Sequence, residues 1–152
     1  MYGGEFMIIR EIEREDFSEL FELYTHLHEK TIPQNTDDLE KLIDDIMSDE
    51  NYHIILCEVD GKIVSSVSCI VIKNLTRGLR PYALVENVVT DEKYRGRGYA
   101  SACLEYAYNI SKDAGCYKIF LMTGSKNEST LNFYKRAGYN DTDKTAFIRW
   151  IE

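Results

Sequence analysis

A short segment rich in glycine and arginine, Arg95-Gly96-Arg97-Gly98-Tyr99-Ala100, separates an apolar stretch ending at Thr90 from a helical pattern. The first N–H groups of a helix have no acceptor within it and carry partial positive charge, so they attract phosphate. The two glycines would let the backbone adopt positive φ and approach an anion closely. The two arginines add positive charge, and the alanine keeps the first turn free of a bulky side chain. The segment therefore indicates a phosphate site, although a solvated basic turn would have the same composition.

The same segment does not fit two other phosphate-binding patterns. A Walker A loop needs a Lys followed by Ser or Thr, and that pair is missing. The dinucleotide fingerprint G-x-G-x-x-G is incomplete here and comes too late in the chain. Neither a P-loop nor a dinucleotide-binding unit is therefore expected.

Hydrophobic periodicity places this segment within an alternation of strands and helices. Apolar residues recur at helical spacing in two segments after the first strand, and an Asp60-Gly61 pair predicts a hairpin between two strands. The order is strand, two helices, three strands, helix, strand, helix and strand, which indicates an α/β sandwich around a mixed sheet. The predicted strands are Phe6–Ile12, Tyr52–Val59, Lys62–Ile72, Tyr82–Thr90, Tyr117–Thr123 and Thr145–Ile151.

Length and composition are those of one globular domain. With 152 residues the chain can bury a sizeable core without a disulfide or a structural metal. The formal net charge of -8 argues against non-specific binding to nucleic acid or to an anionic membrane, and it suits a cationic partner such as an amine. Residues 7–152 are predicted to form the domain, with residues 1–6 an N-terminal extension or a cloning remnant.

The cysteines and histidines indicate no metal. The four cysteines are dispersed in apolar stretches without C-x-x-C spacing, so we interpret them as buried reduced thiols. His26 and His28 fall on different faces of one helix, and nothing near them or His53 completes a ligand set. No apolar run approaches the ~20 residues of a membrane span and no secretory signal is present, which favours a cytoplasmic protein.

Two motifs together resemble the GNAT superfamily of acyltransferases. The segment from Arg95 to Ala100 fits that family's signature R/Q-x-x-G-x-G/A, and it follows a strand ending Val88-Val89-Thr90, as the family has it. Asn127 and the run from Phe133 to Tyr139 are similar to the family's second motif, N-x-x-x-x-x-F-Y-x-x-x-G-F/Y. The resemblance covers nearly the whole chain. It implies a single-domain GNAT-like α/β fold, with a mixed, mostly antiparallel sheet of about six to seven strands flanked by about four helices.

The resemblance also implies acetyl-CoA as co-substrate, with no metal. In this family the fourth and fifth strands diverge, often at a bulge in the fourth, and the pantetheine arm bonds to the exposed strand amides. One N–H near Val88 or Val89 would polarise the thioester carbonyl. Asn127 would bond the pantetheine or hold its turn. The implied coenzyme contacts are Val88, Val89, Thr90, Arg95, Gly96, Arg97, Gly98, Tyr99, Ala100, Ser101 and Asn127.

Direct acyl transfer to an amine needs a base for the ammonium proton and an acid for the thiolate. Glu86 is the candidate base, because a carboxylate in an apolar strand is costly without a partner; pairing with an arginine or exposure to solvent is the alternative. Tyr134 is the candidate acid, since the resemblance places its hydroxyl near the coenzyme sulfur; a core tyrosine is the alternative. Asn87 would contact the acceptor or satisfy a bulge.

The acceptor is predicted from weaker signals. Arg77 and Arg80 share a short loop before the strand of Glu86, and we expect them to hold an anionic group of the acceptor, unless they are merely solvated. The function we expect is N-acetylation of a primary amine on a small molecule. A protein acetyltransferase, a polyamine acceptor and a non-catalytic coenzyme sensor are the alternatives. A homodimer is also expected, with Phe147 and Trp150 supplying an apolar contact.

Overall fold

Five strands and four α-helices make up residues 4–151, the part of the chain that the computed structural model describes. Two single-turn 3-10 helices, Arg14–Asp16 and Glu92–Tyr94, precede the first and third helices. No helix within those residues is long and apolar enough to cross a membrane. The strands are Met7–Glu11 (β1), Tyr52–Val59 (β2), Lys62–Ile72 (β3), Tyr82–Thr90 (β4) and Ile119–Leu121 (β5). The helices are Phe17–Tyr24 (α1), Asp37–Ser48 (α2), Tyr99–Asp113 (α3) and Glu128–Arg136 (α4).

The strands form one sheet in the order β1-β2-β3-β4-β5. Neighbours are antiparallel up to β4, and β5 is parallel to β4. The β2–β3 hairpin turns at Asp60-Gly61, where both residues have positive φ, as the sequence predicts for this dipeptide. A parallel neighbour needs a crossover connection, and α3 supplies it between β4 and β5. The predicted α/β class and helix number are confirmed.

The predicted count of six to seven strands is wrong for the described chain, which has five. Thr145–Ile151 forms no strand, and every one of these residues is exposed. Alternating apolar residues favour extended backbone, but a strand also needs a partner strand, and this segment pairs with none of the five strands of the described residues. β5 is likewise shorter than the predicted Tyr117–Thr123, because its pairing with β4 ends at Leu121.

Helices cover both faces of the sheet, and each pair of helices closes a separate core. Residues of one strand alternate between the faces, so β2 contributes to both cores. Burying each large apolar side chain contributes roughly 1.5–3 kcal/mol, and this favours the two-layer arrangement. The core under α3 and α4 includes Ile55, Cys57, Val67, Val85, Cys103 and Leu104. The core under α1 and α2 includes Phe17, Leu20, Leu23, Ile43, Ile54, Leu56 and Val89.

Strand β4 serves both cores because it changes face at a bulge. Val85 packs under α3 and Val89 packs under α1, although residues four apart on a regular strand point to the same side. On β3, Ser68 pairs with Glu86 and Ser66 pairs with Val89, so one β3 residue opposes two on β4. Asn87, one of those two, has φ of 52°, a left-handed conformation that Asn tolerates better than most residues.

Arg10 joins β1, β2 and the turn before α1. Its guanidinium donates to both carboxylate oxygens of Asp16, at 2.6 and 2.9 Å, and to Glu58 at 3.0 Å. Asp16 is buried and also accepts from the backbone N–H of Glu13 at 2.7 Å. The Arg10 guanidinium holds the pKa of the Asp16 carboxyl below its usual range, against the effect of burial, which raises it. This network fixes where α1 begins over the sheet.

Candidate active site

The sheet opens between β4 and β5 beside the bulge. Their parallel pairing covers Ala83 to Val85 on β4 and does not continue past Val85. From Glu86 to Thr90, β4 therefore presents an edge that no residue of β5 pairs with. Such an edge exposes backbone donors and acceptors, and an extended ligand can add to it as a further strand. The divergence and the bulge lie where the resemblance implies them.

The N-terminus of α3 lies directly after this edge in sequence. Gly96 and Gly98 have φ of 74° and 86°, and Gly98 is the N-cap of the helix. The first helical bond runs from the Ala102 N–H to the Gly98 carbonyl at 3.0 Å, so the N–H groups of residues 99–101 have no acceptor within the helix. A Cβ placed on Gly98 would meet nothing within 4 Å. An open cradle with free donors fits a phosphate group.

Arg95 and Arg97, the two arginines of this loop, each contact neighbouring residues. Arg95 donates from Nε to the Thr90 carbonyl at 3.3 Å, which ties the loop to the end of β4. Arg97 donates to Glu5 at 2.9 Å and lies over the Tyr94 ring at 5.5 Å. Glu5 also accepts from the Tyr99 hydroxyl, and this bond raises the pKa of that hydroxyl. The extension predicted for residues 1–6 therefore contacts the loop through Glu5, while residues 1–3 lie outside the described part of the chain.

Asp91 holds the start of the loop through its carboxylate. The sequence analysis does not single out this residue. Its buried carboxylate accepts from the Lys93 backbone N–H and from Lys62 Nζ, both at 3.0 Å. Burial acts to raise the pKa of this carboxyl, but these two hydrogen bonds outweigh it and the pKa is lowered. The position of Asp91, directly after a strand and before a tight turn, is the sequence signal by which this anchoring role could have been predicted. In residues 4–151 no group of three side chains able to hold a metal ion is found.

Glu86 lies at the entrance to the opened sheet. Its side chain is exposed and forms no ion pair with any residue of the described chain, so of the two alternatives to a catalytic role, exposure to solvent is observed and pairing with an arginine is not. Its role as the base stays a prediction. Beneath it, the hydroxyls of Ser66 and Ser68 are buried and have no hydrogen-bond partner among residues 4–151. Ser68 is the cross-strand partner of Glu86, so a free carboxylate and an unpaired hydroxyl are neighbours here and are suited to hold water or a polar group of a ligand.

A cavity of about 280 Å³ adjoins the bulge on the α1 side of the sheet. Tyr24, the last residue of α1, stands between the cavity and β3. Burial raises the pKa of its hydroxyl, and the neighbouring polar groups of Ser68 and Asn87 act in the opposite direction. Sequence reasoning does not single out Tyr24, because it falls on the apolar stripe of α1, where an aromatic residue is expected to pack in the core. The cavity is lined by Phe21, Tyr24, Leu27, His28, Glu29, Thr31, Pro33 and Asn87.

The second motif lies on and before α4. Tyr134 is half-buried, and its ring packs edge-on against Phe133 at 5.0 Å and Tyr139 at 6.4 Å. Burial raises the pKa of the Tyr134 hydroxyl, so this group stays protonated at neutral pH and can donate. Asn127 is the N-cap of α4, but its side chain makes no capping hydrogen bond. That amide is free to contact a ligand.

Arg77 and Arg80 belong to the loop between β3 and β4, and their side chains contact the turn between α3 and β5. Arg80 donates to the carbonyls of Gly115 and Cys116 at 3.1 and 2.9 Å, and Arg77 stacks over the Tyr117 ring at 5.3 Å. Arg80 precedes Glu86 by six residues, roughly 20 Å of extended strand. Neither arginine lines the cavity beside the bulge. Their predicted role in holding an anionic acceptor stays a prediction.

The sequence model described as the acetyltransferase (GNAT) family matches residues 9–139. The chain belongs to this family. The resemblance found in the loop and in the second motif is thereby confirmed, and the chain is an acyltransferase of the N-acetyltransferase type.

Individual family members agree with this assignment. The glucosamine 6-phosphate N-acetyltransferase of Trypanosoma brucei brucei is 33% identical over 132 residues, which are 86% of this chain and 87% of that protein. A protein of Agrobacterium tumefaciens str. C58, provisionally called an acetyltransferase, superposes with a TM-score of 0.85 at 31% identity and covers 94% of this chain and 99% of its own. The glucosamine-6-phosphate N-acetyltransferase of Arabidopsis thaliana shares the fold, with a TM-score of 0.79 at 23% identity over 97% of this chain and 100% of its own.

Proposed function

We propose that this enzyme transfers the acetyl group of acetyl-CoA directly to a primary amine of a small molecule. The observation that carries the proposal is the open edge of β4 from Glu86 to Thr90, followed in the chain by the N–H groups of residues 99–101, which have no acceptor within α3. One is suited to an amide-rich chain and the other to a phosphate. Pantetheine and pyrophosphate have these properties and are joined in one coenzyme.

The chain's own residues then have defined places along the coenzyme. The N–H groups of residues 99–101 receive the pyrophosphate, with Arg95 and Arg97 beside it. The backbone of Val88, Val89 and Thr90 bonds the pantetheine amides, and the free amide of Asn127 supports the same arm. The coenzyme supplies an acyl group activated as a thioester. Arg97, which donates to Glu5 in the structure, can turn to the pyrophosphate, because a guanidinium fork bonds phosphate as it bonds carboxylate.

The acceptor is proposed to enter the cavity beside the bulge. A volume of about 280 Å³ suits a metabolite better than a peptide. Two family relatives carry the name glucosamine 6-phosphate N-acetyltransferase, so an amino-sugar phosphate is the first acceptor to test. Such an acceptor carries an anionic group, which is the feature that we expect Arg77 and Arg80 to bind. The observed contacts of Arg80 with two carbonyls weigh against its part in this, whereas Arg77 has no carboxylate partner among the described residues.

The chemistry assigns one task to each group. Glu86 accepts a proton from the acceptor ammonium, directly or through a water held near Ser68, and the amine nitrogen gains its free electron pair. The nitrogen forms a bond to the acyl carbon while a backbone N–H near Val88 or Val89 stabilises the negative oxygen. The carbon–sulfur bond breaks and Tyr134 gives its proton to the sulfur, while the nitrogen loses its second proton, which passes through solvent to restore Tyr134 and leaves a neutral amide. Asn87, at the cavity wall, orients the acceptor.

A panel of amines tests the proposal, with release of free thiol as the readout. Glucosamine 6-phosphate, glucosamine, spermidine and a lysine peptide are compared at equal concentration with acetyl-CoA. We expect the highest kcat/KM for the amino-sugar phosphate and the lowest for the peptide. Preference for the peptide would favour a protein acetyltransferase. Tight coenzyme binding without turnover of any amine would favour a sensor.

A further inference from the structure

The face of β4 that carries Glu86 extends toward the start of the strand. Ala83 and Val85 belong to the core under α3. Because side chains alternate along a strand, Tyr82, Leu84 and Glu86 lie on the opposite face, on the side of α1. Leu84 and Glu86 are two residues apart, about 7 Å along an extended strand. A molecule whose amine reaches Glu86 can therefore contact Leu84 as well.

An apolar row crosses the sheet at Leu84. Leu84 pairs with Ile70 on β3 and with Phe120 on β5, so these three side chains lie side by side on the face of Glu86. All three are half-buried, and neither of the two cores includes them. A half-buried apolar row beside a reactive group is suited to pack against the body of a ligand.

Lys118 lies at the end of this row among three aromatic side chains. Its Nζ is 5.3 Å from the centre of the Tyr82 ring and 5.4 Å from the centres of the Tyr117 and Phe120 rings. Contacts between an ammonium and aromatic rings hold the side chain in one place, whereas a free lysine samples many rotamers. Because Tyr82 and Phe120 lie on the face of Glu86, the ammonium lies on that face too.

The positive charge of Lys118 has no acidic partner in the described chain. Among residues 4–151 its ammonium donates to no acceptor and forms no ion pair, whereas Lys62 and Lys135 are held by Asp91 and Asp141. The chain has a formal net charge of -8, so an ordered lysine without a carboxylate is a local exception. Such a lysine is suited to bind an anionic group of a ligand.

We propose that Lys118 binds an anionic group of the acceptor, while the row of Ile70, Leu84 and Phe120 packs against the acceptor's body and the amine reaches Glu86. This assignment rests on the proposed function. The ammonium lies over Phe120, which is level with Leu84, and its backbone is beside Tyr82, so it is roughly 7–13 Å along the sheet from Glu86. A span of this length fits an amine and an anion at opposite ends of one sugar-sized molecule.

The assignment defines the acceptor as an anionic primary amine. A polyamine would bring a second positive charge toward Lys118, and an uncharged amine would leave Lys118 without a partner. Arg77 lies 5.3 Å from the centre of the Tyr117 ring and adds positive charge at the same end of the row. Arg80, whose guanidinium is held by two backbone carbonyls, is not needed for this role.

The first test measures binding of anions that carry no amine, so its result does not depend on turnover. Inorganic phosphate and glucose 6-phosphate are titrated calorimetrically into the enzyme in the presence of saturating coenzyme A, which occupies the α3 cradle. We expect glucose 6-phosphate to bind more tightly, because its ring contacts the apolar row. Lys118→Gln should weaken both anions about tenfold, for the loss of a charged contact. Phe120→Leu should mainly remove the advantage of glucose 6-phosphate. Lys112→Gln, an exposed change in the last turn of α3, is the control and should weaken neither.

The second test compares kcat/KM for glucosamine 6-phosphate and glucosamine by release of free thiol. Lys118→Gln should lower the ratio of the two values about tenfold, and Lys118→Arg, which keeps the charge and the ring contacts, should restore most of it. Anion binding that depends on Lys118, in an enzyme that acetylates no amine, would leave the anion site standing and the proposed function wrong.

Three outcomes would overturn the assignment of Lys118. One is a wild-type enzyme that binds neither anion. Another is anion binding, or a preference for the phosphorylated sugar, that is unchanged in Lys118→Gln. The third is an equal loss in Lys118→Arg and Lys118→Gln, which would mean that the shape of the lysine side chain matters and its charge does not.

Discussion

Glu86 on β4 is the direct cross-strand partner of Ser68 on β3, at the last paired position before the bulge. The pair places a free carboxylate above a buried hydroxyl that has no partner among residues 4–151. Glu86 is exposed and directly precedes Asn87, which lines the cavity, so it adjoins the cavity without being part of its lining. We propose that Glu86 takes the proton of an acceptor amine bound there.

Glu86→Gln is expected to lower kcat by roughly 10²-fold, because the amide cannot accept the ammonium proton. Coenzyme affinity, measured by calorimetry, should stay within about twofold, since the side chain does not touch the α3 cradle. Glu92→Gln, an exposed change in the following turn, is the control and should leave the rate unaltered. If Glu86→Gln retained most of the wild-type kcat, another group or solvent would be the base.

Gly98→Asp is expected to weaken coenzyme binding by at least tenfold. The change places a negative charge at the helix N-terminus, where the free N–H groups attract anions, and it strains a backbone with φ of 86°. Gly115→Ala, at φ of 78° on the other end of α3, imposes similar strain far from the cradle and is the matched control. Calorimetric affinities of the two variants, compared at equal folded fraction, separate charge from strain. Equal affinities would show that the cradle does not hold the pyrophosphate.

Tyr134→Phe should lower kcat on the order of 10²-fold and change coenzyme affinity little, because it removes a proton donor but keeps the ring. Tyr139→Phe is the control, since that buried hydroxyl also lacks a partner in the described chain and its ring contacts Tyr134. Single-turnover measurements isolate the chemical step from product release. A Tyr134→Phe enzyme with an unchanged single-turnover rate would leave Tyr134 a packing residue.

Stability should fall in acid through Asp16. The pKa of this carboxyl is lowered in the folded state, whereas it returns to about 3.9 in the unfolded chain. The stabilisation from its ionised form is therefore complete above about pH 4 and is lost as the pH falls through the folded pKa. Asp16→Asn should cost about 2 kcal/mol at pH 7, for the loss of charged hydrogen bonds to Arg10, and its Tm should respond less to acid. Asp45→Asn, which removes only an exposed pair with Lys41, should leave the acid response unchanged.

Arg80→Ala and Arg77→Ala should differ in effect. Arg80 holds two carbonyls of the α3–β5 turn, so its loss should lower Tm by a few degrees and leave acceptor KM nearly unchanged. Arg77 makes only a ring contact, so its loss should spare Tm. A KM for glucosamine 6-phosphate that rises in Arg77→Ala, with no change for glucosamine, would support anion recognition. Unchanged KM values in both variants would remove these arginines from the acceptor site.

The loop and α3 were predictable because their signals are local. The left-handed conformations of Gly96 and Gly98 follow from residue type, and a helix that begins at Tyr99 follows from apolar spacing. The β2–β3 hairpin is equally local. Strand–loop–helix units of this kind need no information about distant residues, which is why the candidate coenzyme site could be assembled from one stretch of sequence.

The misses arise from information that spacing does not carry. Alternation in Thr145–Ile151 indicates an extended chain, but it does not say whether an edge is available. Tyr24 shares the apolar stripe of α1, so its place beside Asn87 emerges only when the helix is packed on the sheet.

The change of face in β4 gives the opened sheet two independent supports. Val85, before the bulge, packs in the core beneath α3, while Val89, after the bulge, packs in the core beneath α1. The width of the opening between β4 and β5 therefore depends on the packing of two separate cores, which have no helix in common. Substitutions deep in either core, far from any bound molecule, can change the width of the opening between β4 and β5. Relatives can therefore differ in the ligands they accept without any change in the residues that contact the ligand. Deleting the single residue Asn87 would instead leave Val89 three positions from Val85, so a regular strand would keep both supports and lose the bulge beside which the sheet opens.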